Sequence, residues 1–365
     1  MTDIAAAGQG PLTGLRVLEF VSIGPGPHCA MLLSDLGAEV LRIDRAGGNG
    51  WPNCIMDRGR AVIELDIRSV AGRDTCLAAA ERADVLIEGF RPGVMERLGM
   101  GPTALMSKNP RLVYGRITGW GQTGPLSKTA GHDINYIALT GALAAIGKAS
   151  EPPTVPLNLI GDFGGGSLFL AFGIMAALWE RERSGQGQIV DAAIVDGVAS
   201  MMTMFTGLDP SSGVSLDRGR SMLGGAAPFY RCYRCADGLD ISIGAIEPKF
   251  FATLIELTDA PHEFIALQYE QSSWDRQSAV FAELFAKKTR AEWSLIFDQA
   301  EACFAPVLTA SEACENPHLR ARQTFVQHDA VLQAATAPRF SRTPGQISKA
   351  RDGRECLAAW GVTVS

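Results

Sequence analysis

Short apolar runs separated by glycine-bearing turns dominate the first half of the chain. Leu15–Phe20 and Val40–Asp44 read as buried strands with a short helix at Ala30–Leu36 between them, a βαβ unit. Ala61–Ile67, Asp84–Glu88 and Leu112–Ile117 repeat the strand pattern, and Ala71–Arg82 has helical spacing, which predicts an α/β fold. A helix is predicted over Ile134–Ile146. The run from Phe163 to Arg183 differs, being apolar nearly all round; it predicts a helix buried on most faces and stopped by Gly185. A strand candidate at Gln188–Asp191 and a helix through Met204 follow.

After Leu208 the pattern changes. Turn residues and charge without periodicity predict an interdomain linker over 208–228. Phe229–Cys235 and Leu239–Gly244 then flank Ala236-Asp237-Gly238, a hairpin signal, and Pro248 opens a helix behind Glu247. Helical stretches at Ser278–Lys287, Arg290–Cys303 and Ser311–Arg322 complete a small α+β domain over 229–325. The apolar end Cys356–Trp360 is expected to return, as part of 326–365, to the large domain begun by 1–207.

Composition narrows the classes. A chain of 365 residues with 47% hydrophobic and 20% charged residues suits a two-domain globular enzyme. Its net charge of −6 argues against general nucleic-acid binding, so an anionic ligand must be met by local arginines. The eight cysteines lack framework spacing and read as free thiols of a reducing compartment. Residues 1–11 lack a signal-peptide pattern, and glycine or charge interrupts every long apolar run, so a cytoplasmic protein with no membrane span is expected.

The chemistry concentrates between Gly131 and Gly166. His132 and Asp162 each stand beside glycine at a predicted helix start, as an acid/base pair or as plain caps. Asn158 and Tyr136 add polar groups beside them. Gly164-Gly165-Gly166 has no structural need in an apolar helix, since each glycine costs about 1 kcal/mol relative to alanine; close approach of something to that backbone is the simplest reading, and bare N–H groups there would suit a developing oxyanion. Arg42, Arg45, Arg58, Arg60 and Arg68 cluster at strand ends, as a solvated rim or an anion site. Arg91 follows a strand's C-terminal end, where ligands bind in open α/β sheets. Gly24-Pro25-Gly26-Pro27-His28-Cys29 imitates a dinucleotide fingerprint, but its third glycine is Cys29 and two prolines remove donors, which disfavours a dehydrogenase. Cys232 and Cys235 form a lone C-x-x-C without a second pair, and neither G-x-S-x-G nor a P-loop occurs.

Residues 11–19, Asp35–Val40, Glu88–Gly93, Gly131–Tyr136, Gly161–Gly166, Gly244–Pro248 and Pro338–Arg342 together resemble family III CoA-transferases, above all that family's racemases. The resemblance covers almost the whole chain. It implies a Rossmann-like large domain built from both chain ends, a smaller inserted α+β domain and an interlocked homodimer. It also implies an acyl-CoA thioester as substrate, no metal or redox cofactor, and interconversion of (2R)- and (2S)-2-methylacyl-CoA through an enolate. His132 and Asp162 would be bases on opposite faces of the α-carbon, with Asn158 beside Asp162 and Glu247 orienting His132 from the partner's small domain. Ile23, Gly89, Asp133 and Tyr136 are implied in binding the substrate or its CoA moiety, and Arg42, Arg45, Arg58, Arg60, Arg68 and Arg91 are candidates for the CoA phosphates. CoA transfer with Asp162 as nucleophile, and CoA binding without catalysis, are the alternatives.

Overall fold

The computed structural model describes residues 10–48, 50–208 and 214–364. The apolar runs become β1 (Arg16–Phe20), β2 (Glu39–Asp44), β3 (Ala61–Glu64), β4 (Val85–Glu88), β5 (Val113–Thr118) and β6 (Ile189–Ala193). With a two-residue strand at Arg351–Asp352 they form one sheet, ordered from that strand through β3, β2, β1, β4 and β5 to β6, and every pairing is parallel. Parallel strands are covered on both faces, which is why they read as continuous apolar runs. The order reverses between β1 and β4, and the crevice outside the strand ends at that reversal is where such sheets take ligands.

Helices α1 (Pro25–Asp35), α2 (Val70–Ala80), α3 (Val94–Arg97) and α4 (Pro102–Lys108) connect the first five strands, and the Ser69 side chain caps α2. The single helix predicted over 134–146 is two, α5 (Asp133–Leu139) and α6 (Ala142–Ala145), because Gly141 turns the chain at φ +84°. A π-helix at Leu159–Leu168 then runs without a break into α7 (Phe169–Ser184). After β6 come α8 (Ile194–Met201) and α9 (Thr203–Gly207).

The expected burial of the long helix on most faces is corrected by its outer side. Leu170, Ile174, Ala177 and Leu178 are buried on the side facing β5 and β6, but Leu168, Phe172, Met175 and Trp179 form an exposed stripe, with Phe172 73% and Trp179 70% accessible. The glycines do not interrupt the helix either: Leu159–Ser184 is continuous over 26 residues and, by length and composition, is apolar enough to cross a membrane.

Contacts divide the chain into two units. The first gathers the described residues of Met1–Thr140, Leu157–Met201 and Ala321–Ser365. Its core includes Leu18, Leu41, Leu86 and Tyr114, joined from the chain's end by Cys356, Leu357 and Trp360. The second gathers Gly141–Pro156 and Met202–Arg320. It holds an antiparallel sheet of β7 (Tyr230–Arg234), β8 (Asp240–Gly244) and β9 (Phe304–Pro306), packed on α10 (Pro248–Thr258) and α11 (Trp274–Phe285) around Phe229, Phe251, Phe281 and Phe285. Residues 141–156 thus group with the second unit rather than with 1–207, and the return begins at Ala321 rather than 326. The expected linker 208–228 groups there too, except residues 209–213, which lie outside the described residues.

Candidate active site

A cavity of about 470 Å³ opens at the sheet's reversal point. Its walls come from Val21, Ser22 and Ile23 after β1, Gly89, Phe90 and Arg91 after β4, and Ile117 and Thr118 at the end of β5; Arg45 reaches it from the end of β2. His132, Tyr136 and Asp162 line the same cavity, so the acid and the histidine singled out in the sequence share one site.

His132 precedes α5 with an extended backbone, and Asn135 Oδ1 accepts its N–H at 3.0 Å. That bond fixes the main chain while the imidazole stays exposed to the cavity. Tyr136 donates its hydroxyl to Gly131 O and meets Trp120 edge-on at 4.7 Å. Trp120, a cavity residue that sequence reasoning missed, thereby buttresses the loop that delivers His132.

Asp162 does not cap a helix. It lies inside the π-helix, whose wide winding shows in the bond from Phe163 N–H to Asn158 O at 3.3 Å. Its carboxylate accepts Asn158 Nδ2 at 3.1 Å, and its backbone N–H donates to Asp133 Oδ1 at 2.7 Å. Burial raises its pKa above the ordinary aspartate value; the Asn158 hydrogen bond and the charge of His132 oppose that rise, and the charge of Asp133 adds to it. Gly24, ahead of α1 at φ +69°, leaves room for this carboxylate: a Cβ there would lie 3.1 Å from Asp162 Oδ2.

The glycine run admits a helix rather than a ligand. A Cβ on Gly165 would stand 2.8 Å from Val198 N, and one on Gly197 of α8 would stand 1.9 Å from Gly165 O. The N–H groups of Gly161 and Asp162 are both held by the Asp133 carboxylate. The expectation of bare N–H groups beside Asp162 for an oxyanion is therefore corrected.

The arginine rim divides. Arg60 is fully buried against Glu19 at 2.6 Å, Arg58 is buried against Asp35 and bonds Gln333, and Arg42 is buried between Asp44 and Asp57. These three hold strand ends together and cannot present charge to a ligand, which corrects their assignment to CoA. Arg68 is exposed and pairs with Asp66, outside the cavity. Arg45 and Arg91 remain on the cavity wall. Beside them a second concavity is lined by Arg91, Arg97 and Lys128, and among the described residues none of these three forms an ion pair. Arg97 and Lys128 went unnoticed in the sequence; a Cβ on Gly93, ahead of α3, would lie 3.2 Å from Arg97 Nη1. The Asp133 side chain faces the π-helix backbone and is absent from the cavity wall, so its assignment to substrate is corrected as well.

Glu247 belongs to the second unit. It precedes Pro248 at the start of α10 without a capping side-chain bond, and its exposed charge helps raise the pKa of Tyr269, after burial. Among the described residues no group of three or more His, Cys, Asp or Glu is arranged to hold a metal.

The CoA-transferase family III model matches residues 12–351. The chain belongs to that family. It is 44% identical to the alpha-methylacyl-CoA racemase of Mus musculus and 42% identical to that of Homo sapiens, over 93% of this chain and 89% of each relative. A succinyl-CoA--D-citramalate CoA-transferase of Chloroflexus aurantiacus is 31% identical over 92% of this chain and 89% of its own. Among solved structures, a CAIB/BAIF family protein from Brucella suis superposes with a TM-score of 0.84 over 97% of this chain and all of that one, at 24% identity, which speaks to the mixed α/β fold with its central parallel sheet.

Proposed function

We propose that this enzyme is an isomerase that racemises 2-methylacyl-CoA thioesters by exchanging the α-proton between two bases. The observation that carries the reading is the presence of His132 and Asp162 on one cavity wall at the sheet's reversal point, with burial raising the proton affinity of Asp162. The likeness to two alpha-methylacyl-CoA racemases at 42–44% identity supports the substrate class.

One base removes the proton from the carbon next to the thioester carbonyl, and the electrons move onto the carbonyl oxygen. The other base returns a proton to the opposite face, so the pair ends each turnover with its protonation exchanged. A carboxyl with raised proton affinity suits both roles, since a strongly acidic one would be a poor base. Asn158 bonds the carboxylate form of Asp162 and aims it. Arg91, Arg97 and Lys128 take the CoA phosphates, with Arg45 beside them, as free cations do more readily than buried ion pairs. We further propose an interlocked homodimer in which Glu247 of one subunit orients His132 of the other; the exposed stripe on α7 supports a covered surface there.

Incubation of one epimer of a 2-methylacyl-CoA in deuterated water tests the reading. Both α-deuterium uptake and epimerisation are expected, and both should vanish in His132→Ala and Asp162→Ala with CoA affinity nearly unaltered. No uptake with several acyl chains would refute racemisation, and movement of CoA to an added carboxylate would favour transfer.

A further inference from the structure

The residue after His132 bonds the backbone of the other proposed base. Asp133 is only 8% exposed, and its Oδ1 accepts the N–H of Asp162 at 2.7 Å while Gly161 donates a second backbone bond to the same carboxylate. The space is made for it, because a Cβ on Gly161 would fall 2.2 Å from Asp133 Oδ1. No side chain other than hydrogen at 161 lets the carboxylate reach both donors. We infer that Asp133 is a positioning residue that ties the two bases into one unit: its carboxylate clamps the π-helix at Gly161 and Asp162 while the peptide before it carries His132.

Two adjacent residues therefore do different work. His132 faces the cavity, whereas Asp133 turns inward and fixes where the Asp162 carboxyl stands relative to His132. A shift of about 1 Å between reacting groups costs on the order of 10²-fold in rate, so such a clamp has catalytic leverage without touching substrate. Its charge has a second effect, adding to the burial that raises the Asp162 pKa. The groups facing Asp162 are His132 and Tyr136 with Asp133 from α5, and Asn158 from its own helix. Other ionisable groups on the elements packed around the π-helix are engaged elsewhere: His28 of α1 with Ser167, Asp35 of α1 with Arg58, Arg116 of β5 with Glu88 and Glu96, Arg181 of α7 with Asp84, Asp191 of β6 with the Gln122 N–H, and Asp196 of α8 acts on Asp191.

The kinetic arm rests on the racemase reading, and the structural arm does not. In Asp133→Asn the acceptor is kept and the charge lost; in Asp133→Ala both are lost. Titration of the Asp162 carboxyl by ¹³C NMR, assigned by its absence in Asp162→Asn, should show a lower midpoint in Asp133→Asn than in the wild type. Deuterium exchange at the substrate α-carbon should show the acidic limb of kcat/KM moving to lower pH in Asp133→Asn with kcat largely kept. In Asp133→Ala kcat should fall by about 10- to 100-fold with KM unchanged. Should Asp133→Ala fail to fold, Gly161→Ala, which displaces the carboxylate, supplies the same kinetic comparison. An unmoved Asp162 midpoint in Asp133→Asn, or a raised KM with unchanged kcat in Asp133→Ala, would overturn the inference. A wild type that takes up no deuterium, alongside a midpoint that moves, would instead sink the racemase reading and leave the clamp standing.

Discussion

Gly24 shows how a glycine's requirement can be set by a residue far along the chain. In sequence it opens an imitation of a dinucleotide turn; in the structure its missing Cβ makes room for the Asp162 carboxylate. Gly24→Ala introduces a Cβ 3.1 Å from Asp162 Oδ2 at a backbone φ of +69°, which side chains adopt at a cost of about 1–3 kcal/mol. We expect kcat for α-proton exchange to fall at least about tenfold with little change in KM, read by steady-state kinetics. The raised pKa of Asp162 predicts the pH dependence: because the carboxyl keeps its proton to higher pH than a free aspartate, the acidic limb of kcat/KM should lie above the ordinary value of 3.8. The arginines separate by partner. Arg97→Ala should raise KM for acyl-CoA about tenfold, the loss of one charge-assisted bond, at unchanged stability. Arg60→Met should do the reverse, leaving KM alone and destabilising the fold by about 3–5 kcal/mol, because it strands the buried Glu19 charge; denaturant unfolding measures it. Arg60 and its carboxylate Glu19 lie 41 residues apart in the chain, so their pairing was invisible in the sequence.

At the scale of elements, the strands were legible because parallel strands covered on both faces leave uninterrupted apolar runs, as Val17-Leu18 and Val85–Ile87 do. The π-helix was not. Its winding and its glycines answer to α8, an element whose approach no local pattern announces. The demand for close approach at Gly164–Gly166 was readable, but the object approaching was a second helix. Gly197→Ala tests this: an added methyl would stand 1.9 Å from Gly165 O, and a helical backbone oxygen cannot swing aside. Alanine improves helix propensity by about 1 kcal/mol, while overpacking costs about 1–3 kcal/mol or more. A net loss of stability is expected, visible as a lower urea midpoint, with activity lost because the helix carrying Asp162 must shift. The same substitution at Gly207, with open space around its added Cβ, serves as the control.

For the whole molecule, the long apolar helix poses the remaining question, since its outer face is at odds with water. Leu168 at the end of the π-helix and Phe172, Met175 and Trp179 on α7 recur at helical spacing, and the exposure of each lies between 39% and 73%. The inner face of the same helix packs on the parallel sheet, so a lipid environment would have to accept a helix already committed on one side. A second copy of the chain needs no such compromise, and symmetric association covers a patch of this kind in the commonest soluble assemblies. In the proposed dimer Glu247 reaches His132 across subunits, so loss of assembly and loss of activity should coincide. Trp179→Glu places a charge in the stripe without touching the cavity. Sedimentation should give the wild type twice the 38.9 kDa of one chain and the variant a single chain at micromolar concentration. Racemisation should fall in proportion to the dimer fraction and recover as protein concentration is raised. A monomeric variant with full activity would break the link between assembly and the active site, and a wild type that partitions into vesicles would assign the stripe to lipid.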